Sequence, residues 1–444
     1  MNSGHLKSVM REIYEAALAA VEPERSVSKF LKVEGDRLLA GERTYDLRAF
    51  RRIFLIGAGK AGVPMARAVE NALQERLEAG LIVVKYGHGG SLRKTQALEA
   101  GHPEPDQAGL NASERILSFL QENLSEQDLL LVVISGGGSA LLPAPVPEIS
   151  FADKQRTTSV LLRSGADIHE LNAMRKHLSR IKGGRLLRFT RGARVISMLL
   201  SDVVGDRPAS IASGPTAPDP STFEDCRQII RKYGIQEDLP GSVIACLSEV
   251  KPEKETVKPG DPLLERVQNG IVASNLVGLQ AAARKAESLG FSPLILSSSV
   301  EGNTEDVARV HVALAREVIQ SRNPIAPPCC LISGGETTVR VTGSGKGGRN
   351  QEFALWCALG CAGWEKRPLL FASLGSDGTD GPTDAAGACA SPETAEQAAR
   401  LGLSIRDFLQ RNDSYHFFEA LGDLIVSGPT QTNVMDFRLV LMKA

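Results

Sequence analysis

The sequence has no excess of charge of either sign, and this limits the partners it can have. Lys and Arg together number 51 and Asp and Glu 52 among 444 residues, a formal net charge of −1. A nucleic-acid-binding surface needs a basic patch, and an anionic membrane surface attracts clustered Lys and Arg. The expected partners are therefore small molecules, with no nucleic acid and no membrane.

Long apolar runs and paired cysteines are also missing. Apolar runs such as 129–134 are far shorter than the roughly 18 residues of a membrane-spanning helix. Charged residues interrupt the first 21 positions, unlike the apolar core of a signal peptide. The seven cysteines include no CxxC pair. We expect a cytoplasmic protein of two or three domains, and the sequence leaves open whether it forms a homo-oligomer.

What the sequence does contain is a repeated pattern of short, wholly apolar runs that end at glycine-bearing loops and precede helical stretches. This pattern is typical of parallel strands covered on both faces. The predicted strands are 53–56, 81–85, 129–134, 195–200, 271–273, 293–296, 330–332, 369–374 and 424–426. The sequence predicts an α/β protein whose ligands bind in loops at the carboxyl ends of strands.

A charged, proline-containing segment at 249–262 lacks any helical or strand periodicity. Such a segment is typical of a domain boundary. We place the cut near residue 258, which predicts an N-terminal domain over 1–258 and a C-terminal domain over 259–444.

Three glycine-rich loops are candidates for binding phosphate or carboxylate groups. In the first, Lys60 stands at the start of a predicted helix whose N–H groups are expected to be unpaired. The second can form a nest of backbone N–H groups, and the third delivers Arg349 to another helix start. The candidate binding residues are Gly57, Gly59, Ser135, Gly136, Gly137, Gly138, Ser139, Ser333, Gly334, Gly335, Glu336 and Asn350. Ordinary tight turns are the alternative interpretation.

Carboxylates follow two of the predicted strands. The stretch 375–388 carries acids whose spacing does not fit an EF-hand, and Asp377 and Asp384 are candidate ligands for Mg²⁺ held together with nucleotide phosphates. Simple Asx turns remain an alternative for these acids. Asp202, after the strand at 195–200, is a candidate to accept a proton from a substrate hydroxyl.

The sequence lacks the complete motifs of several other binding and catalytic sites. The stretch 57–62 has the glycine spacing of a dinucleotide-binding loop, but the next strand ends at Lys85 where an acid should hold the ribose. Lys346 is followed by Gly347, so the sequence has no Walker A motif there, and it has no GxSxG nucleophile elbow. The basic run at 175–182 is expected to be a solvated helix face.

Taken together, the motifs resemble the glycerate 2-kinase family with a C-terminal MOFRL domain. They are GAGKAG at 57–62, ISGGGSALL at 134–142, LSDVVGD at 200–206, ASGPT at 212–216, ISGGETTV at 332–339, GGRNQEFAL at 347–355, GSDGTDGPTDAAGA at 375–388 and NDSYHFF at 412–418. The resemblance implies transfer of the γ-phosphate of ATP to the 2-hydroxyl of D-glycerate with Mg²⁺, giving 2-phosphoglycerate and ADP.

The resemblance also implies an architecture and a set of catalytic residues. The larger N-terminal domain should be Rossmann-like and doubly wound, and the smaller C-terminal α/β domain should have a mixed sheet, with the active site in the cleft between them. Lys60, Asp202 and Arg349 match family positions thought to act in catalysis. Gln431 and Met435 depart from the family pattern, which has Gly and Asn there.

Two rival functions stay open at this stage. Members of the family have often been labelled hydroxypyruvate reductases, so an NAD(P)-dependent reductase is one alternative. A non-catalytic regulator that binds a nucleotide or a sugar acid is the other.

Overall fold

The computed structural model describes residues 3–249, 252–364 and 367–443. Its helices are α1 (Ser3–Ala20), α2 (Pro23–Phe30), α3 (Gly62–Leu73), α4 (Gln107–Asn123), α5 (Gly138–Leu141), α6 (Phe151–Arg163), α7 (Ile168–His177), α8 (Phe223–Tyr233), α9 (Gly241–Ser248), α10 (Asn275–Ser288), α11 (Thr304–Ser321), α12 (Arg349–Gly360), α13 (Thr394–Arg400), α14 (Ile405–Gln410) and α15 (Ser414–Leu421).

The strands are β1 (Leu31–Glu34), β2 (Arg37–Ala40), β3 (Arg43–Asp46), β4 (Ile53–Ala58), β5 (Leu77–Lys85), β6 (Thr95–Ala100), β7 (Leu129–Ile134), β8 (Arg194–Leu200), β9 (Val267–Ala273), β10 (Ser292–Val300), β11 (Cys329–Gly335), β12 (Leu369–Gly375), β13 (Gly387–Ala390), β14 (Leu424–Ile425) and β15 (Asp436–Met442).

The chain divides into two compact units that are not simply its two halves. One unit, here called the Rossmann-like unit, holds Pro23–Ser201 and Asp206–Val272. The other, here called the MOFRL unit, holds α1 as far as Glu22, the short loop Asp202–Gly205, and the chain from Ala273 onward. A single cut near residue 258 does not predict that α1 and the loop Asp202–Gly205 group with the C-terminal part of the chain. The domain boundary at residue 258 stays a prediction. Residues 250 and 251 of the predicted boundary segment lie outside the described residues.

The Rossmann-like unit is built on a six-stranded sheet with the order β6-β5-β4-β7-β8-β9. The pairs β6-β5, β5-β4, β4-β7 and β7-β8 are parallel. Every residue of β4 and β7 is buried, as their unbroken apolar sequences predict. Strand order reverses between β4 and β7, which is where doubly wound folds bind their ligands. The predicted Rossmann-like architecture is confirmed.

The MOFRL unit contains a mixed sheet with the order β10-β11-β15-β12-β13-β14. β10 and β11 pair in parallel, whereas β15 runs antiparallel to both of its neighbours. β15 is buried along its whole length and is central to this sheet, although the sequence reading left 436–442 without a strand. The mixed sheet itself was expected and is confirmed.

Two predictions from composition can be compared with the structure. All seven cysteines are buried and none forms a disulfide within the described residues. Among the described helices, none combines the length and the apolar character that a bilayer crossing requires.

The two departures from the family pattern coincide with unusual backbone geometry. Gln431 and Met435 have φ values of 60° and 70°, in the left-handed region that glycine and asparagine occupy most readily. The family pattern GPTGTNVND places glycine and asparagine at these two positions. The fold therefore keeps the left-handed turns and accepts side chains that strain them.

Because Gln431 is exposed, its strain can be tested without disturbing the core. We expect Gln431→Gly to raise the free energy of unfolding by about 0.5–1 kcal/mol, since relief of the left-handed strain outweighs the greater entropy of the unfolded glycine. Urea denaturation measures the change. Gln431→Ala keeps the Cβ atom and should give no gain, and a gain as large as that of the glycine variant would contradict the explanation.

Candidate active site

In the Rossmann-like unit, the two predicted glycine loops lie side by side at the point where strand order reverses. β4 and β7 pair along their length and end together at Ala58 and Ile134. The Lys60 N–H donates to the Gly136 carbonyl at 2.9 Å, and the Ala61 N–H donates to Ser135 Oγ at 3.0 Å. The two loops therefore form one structural element at the carboxyl edge of the sheet.

The close contact between the loops explains why glycine is needed in both. Gly59 has a φ of 136°, and a Cβ atom there would lie 2.1 Å from Ser135 Oγ. Gly137 has a φ of 87°, and a Cβ there would lie 2.9 Å from the imidazole of His102. Both positions exclude larger residues because of the protein's own packing, whether or not a phosphate binds there.

The backbone donors in these loops are not distributed as the sequence suggested. The N–H groups of residues 59–62 each donate within the protein, to Val83 O, Gly136 O, Ser135 Oγ and Gly59 O. The expectation of unpaired N–H groups in 57–62 is therefore wrong for these residues. By contrast, the N–H groups of Gly136 and Gly137 donate to no group in the described chain. The available nest is in the second loop.

Lys60 supplies the positive charge beside this nest. Its side chain is half-buried, and its ammonium group makes no hydrogen bond or ion pair with any described residue. The pKa of His102 is lowered to about 4, mainly by burial and in addition by the nearby positive charge of Lys60. His102 is thus neutral at pH 7, and its buried Nδ1 has no partner in the described part of the chain. The arrangement is an uncompensated cation next to free backbone donors.

Ser139 belongs to a small polar network that the sequence did not reveal. Its hydroxyl lies 3.0 Å from that of Ser213, which in turn contacts Asn172 Oδ1 at 3.2 Å. Ala212 and Ser213 both have left-handed backbone conformations, with φ values of 49° and 60°. Non-glycine residues in this region cost of order 1–3 kcal/mol each and are frequent at functional sites.

The basic run after residue 175 is not the solvated face that was expected. Lys176, His177 and Lys182 are all buried. Lys176 pairs with Asp219 at 3.1 Å and His177 with Glu255 at 2.7 Å. Burial lowers the pKa of Lys182 to about 7. The prediction failed because charge was counted without the apolar residues in between, Leu178 and Ile181 among them, which are also buried.

In the MOFRL unit, Arg349 begins α12 and is held by two carboxylates. Its Nε and Nη2 donate to Asp436 at 2.7 and 3.0 Å, and its Nη1 lies 2.7 Å from Glu336. Asp436 is inaccessible to water, whereas Glu336 is 47% exposed. A guanidinium has five N–H donors, so two stay available to a substrate.

Asn350, which was predicted to bind a ligand, makes several contacts within the protein, and its role in binding stays a prediction. It is buried, its Nδ2 donates to Asp436 Oδ1 at 3.0 Å, and its Oδ1 accepts from the Ser373 hydroxyl at 2.5 Å. Its backbone N–H donates to the buried carboxylate of Asp380 at 3.1 Å. Asp380 thereby caps α12, and burial raises its pKa to about 6. These contacts position Arg349.

Ser333, Gly334 and Gly335 end β11 and pack tightly inside the unit. Ser333 Oγ lies 2.8 Å from His311 Nε2. A Cβ at Gly334 would overlap Asn275 Oδ1 at 1.8 Å, and one at Gly335 would lie 2.3 Å from the Val300 carbonyl. The structure thus explains these two glycines by packing, and their role in ligand binding stays a prediction.

Glu336, one of the two partners of Arg349, is within electrostatic reach of three other carboxylates. Burial raises the pKa of Glu336, Arg349 opposes this shift, and Asp436, Asp202 and Asp377 add to it through their negative charge. Asp202 is in the loop that groups with the MOFRL unit. Asp384, by contrast, is exposed and accepts a hydrogen bond from the Tyr415 hydroxyl at 2.8 Å.

Comparison with known proteins identifies the family. Two protein families match parts of this chain. A domain of unknown function, DUF4147, matches residues 9–248, and the MOFRL family matches residues 329–436. A relative from Pyrococcus horikoshii named glycerate 2-kinase is 39% identical over 420 residues, covering 94% of this chain and 93% of its own. The chain belongs to the glycerate 2-kinase family.

The solved structure of a family member agrees with this assignment. The crystal structure of glycerate kinase from Thermotoga maritima matches with a TM-score of 0.88 and 36% identity, covering 99% of this chain and 100% of its own. One glycerate 2-kinase family relative, from Agrobacterium vitis, is 39% identical over 444 residues and is provisionally named a hydroxypyruvate reductase. The predicted family is confirmed, and the two names found within it define the competing activities to be tested.

Proposed function

We propose that this protein transfers the γ-phosphate of ATP to the 2-hydroxyl of D-glycerate, giving 2-phosphoglycerate and ADP. The observation that carries the proposal is the unpaired ammonium of Lys60 beside the free N–H groups of Gly136 and Gly137. A half-buried cation and two backbone donors without partners are suited to a multiply charged anion. Relatives named glycerate 2-kinase support the choice of acceptor.

Each group has a distinct part in the proposed reaction. Phosphoryl transfer demands in-line positioning and compensation of charge on the transferred group. Lys60 and the Gly136–Gly137 nest would hold phosphate oxygens, and Arg349 would contribute its two unused N–H donors. Because Asp436 and Asn350 fix the guanidinium, it needs little reorganisation to bind an anion. Ser135 and Gly59 keep the nest in place.

The proposed Mg²⁺ is supported by the carboxylates in the MOFRL unit. In kinases the ion takes one or two carboxylates and completes its shell with phosphate oxygens and water. Among the described residues, no group of three or more His, Cys, Asp or Glu side chains is arranged to hold a metal ion. Asp377 is the stronger of the two predicted ligands because its charge acts on Glu336, but its Oδ1 accepts from the N–H and the hydroxyl of Thr379 at 3.0 and 3.1 Å, as in an Asx turn. Asp384 already accepts a bond from Tyr415. When bound, the ion would neutralise phosphate charge.

The proposal also assigns Asp202 a role as acceptor or orienter of the substrate hydroxyl proton. We expect Asp202→Asn to lower kcat by at least about 100-fold, since positioned general acid–base groups contribute roughly 10²–10⁴-fold. Steady-state kinetics over a range of Mg²⁺ concentrations measures both roles. If turnover and metal dependence stayed within about threefold of wild type, neither proton transfer nor metal binding could be assigned to Asp202.

One assay distinguishes the kinase from its rivals. The protein is incubated with D-glycerate, ATP and Mg²⁺ and the products are resolved as 2- or 3-phosphoglycerate, while a parallel reaction contains hydroxypyruvate with NADH or NADPH. The expected result is 2-phosphoglycerate in the first reaction only. Because β5 ends at Lys85 without the acid that binds a ribose, no oxidation of NADH is expected. Turnover in neither reaction would leave a binding protein.

A further inference from the structure

Arg175 in α7 is a half-buried cation whose role the preceding sections do not explain. It lies in α7, one turn after Asn172, so both side chains emerge on the same face of the helix. Asn172 on that face contacts the Ser213 hydroxyl, which is paired with that of Ser139. Arg175 is half-buried, and burial lowers its pKa. Its guanidinium has no hydrogen bond or ion pair to residues 3–249, 252–364 or 367–443.

The charges around Arg175 are also positive. Lys182 donates to the carbonyls of Ser139 and Leu142, both at 2.7 Å, and Lys154 donates to those of Pro143 and Leu178. Burial lowers the pKa of both lysines, and Arg175 lowers each further by repulsion. Neither ammonium is paired with a carboxylate among the described residues. The two lysines that interact electrostatically with Arg175 therefore offer it no negative partner.

Neighbouring basic residues show that this is not the general pattern of the segment. Lys176 has Asp219 as its partner, and Arg180 has a bidentate contact with Glu114 at 2.6 and 2.8 Å. A charge removed from water is costly unless it is paired. Arg175 is half-buried and has no carboxylate beside it among the described residues, so its guanidinium is available to a ligand.

The groups on the same face indicate which kind of anion binds. A guanidinium presents a planar pair of donors that matches a carboxylate. Ser139, Ser213 and Asn172 supply neutral donors and acceptors, which suit the hydroxyl groups of a small hydroxy acid. Phosphate oxygens have other candidates in Lys60 and the Gly136–Gly137 nest.

We infer that Arg175 binds the carboxylate of the acceptor substrate and thereby sets which hydroxyl is phosphorylated. This inference rests on the proposed function, because it takes D-glycerate to be the acceptor. Anchoring the carboxylate at a fixed point leaves the adjacent 2-hydroxyl in a defined position, while the 3-hydroxyl is one carbon further away. Arg175 thus determines specificity for 2-hydroxy acids.

The inference is tested with Arg175→Gln, which removes the charge but keeps a polar side chain. We expect the KM for D-glycerate to rise about 100-fold and the KM for ATP to stay within twofold, since truncating a buried charged partner of a ligand has effects of this size. Because the substitution breaks no hydrogen bond or ion pair with a described residue, the Tm of Arg175→Gln should be equal to or slightly higher than that of the wild type. Arg175→Lys keeps the charge without the planar fork and should raise the KM about tenfold.

A matched control and a binding measurement separate the outcomes. Arg180→Gln, which removes an ion pair with Glu114, should leave both KM values unchanged. Stabilisation of the wild type by D-glycerate, measured as a Tm shift, should vanish in Arg175→Gln, and uncharged glycerol should stabilise neither protein.

Each failure points to a different error. If the wild type does not phosphorylate D-glycerate, the proposed function is wrong. If the wild type is active and Arg175→Gln keeps its KM for glycerate within threefold, only the inference about Arg175 is wrong. A rise in the KM for ATP alone would assign Arg175 to the nucleotide phosphates. A lowered Tm together with normal KM values in Arg175→Lys would show a structural role.

Discussion

Lys60→Met is expected to lower kcat/KM for D-glycerate phosphorylation by about a thousandfold while leaving the protein as stable as the wild type. The ammonium makes no hydrogen bond or ion pair with a described residue, so its removal breaks no such interaction of the folded state. What it removes is charge compensation for the transferred phosphoryl group, for which single cations contribute about 10³–10⁵-fold in comparable enzymes. Steady-state kinetics and thermal unfolding measure the two effects separately.

A nearby lysine provides the control for this experiment. Lys85 ends β5, the strand beside β4, and also acts on the pKa of His102 through its charge. Lys85→Met removes one positive charge from the same edge of the sheet and should change kcat/KM by less than threefold. Equal losses in both variants would show that only the general positive potential matters, and an unchanged Lys60→Met would remove Lys60 from the site.

The two units differ in whether their basic site residues are already paired with carboxylates. Effects on activity and on stability can therefore be separated for Lys60 but not for Arg349. In the Rossmann-like unit, the charged groups of Lys60 and Arg175 make no hydrogen bond or ion pair with any residue that the structure describes, so their charges are available to ligands. In the MOFRL unit, Arg349 is held by two carboxylates before any ligand binds. Replacing Arg349 would therefore impair folding and function together, and Lys60 is the better test of the chemistry.

The strands and the positions of the glycine loops could be predicted because both depend on local sequence. An apolar run such as 129–134 must be buried on both faces, and the glycines after it mark its end. The strand β15 was not predicted, although its sequence FRLVLM is largely apolar, because no glycine loop of the expected kind follows it. Its importance comes from its central place in the sheet, which depends on pairing with β11 and β12.

The partners of the site residues could not be predicted, since they come from distant parts of the chain. Asp436 reaches Arg349 across 87 positions in sequence, and Ser135 accepts from Ala61 across 74. Such contacts determine which groups stay free to bind a ligand. The N–H groups of residues 59–62 donate within the protein, whereas those of Gly136 and Gly137 donate to no described residue. Sequence can name candidate residues, but the set of available donors is a property of the folded structure.

Asp436→Asn is expected to have the largest effect on stability of any single change at the site. The Asp436 carboxylate is inaccessible to water and pairs with Arg349, with the buried Arg438 at 3.3 Å, and with the amide of Asn350. Neutralising it leaves one buried and one half-buried guanidinium without their shared anion. Breaking a buried ion pair in this way costs about 3–5 kcal/mol.

Glu336→Gln is the matched control, because Glu336 pairs with the same arginine from a position that is 47% exposed. Water screens this pair, so its loss should cost less than about 1 kcal/mol in the free energy of unfolding measured with urea. The comparison separates burial from charge: both variants remove one carboxylate from Arg349, and only Asp436 is cut off from water. Similar losses in the two variants would mean that burial does not control the strength of these ion pairs. A loss below 1 kcal/mol for Asp436→Asn would show that Arg349 is held by its other contacts, and then its fixed orientation could not be attributed to β15.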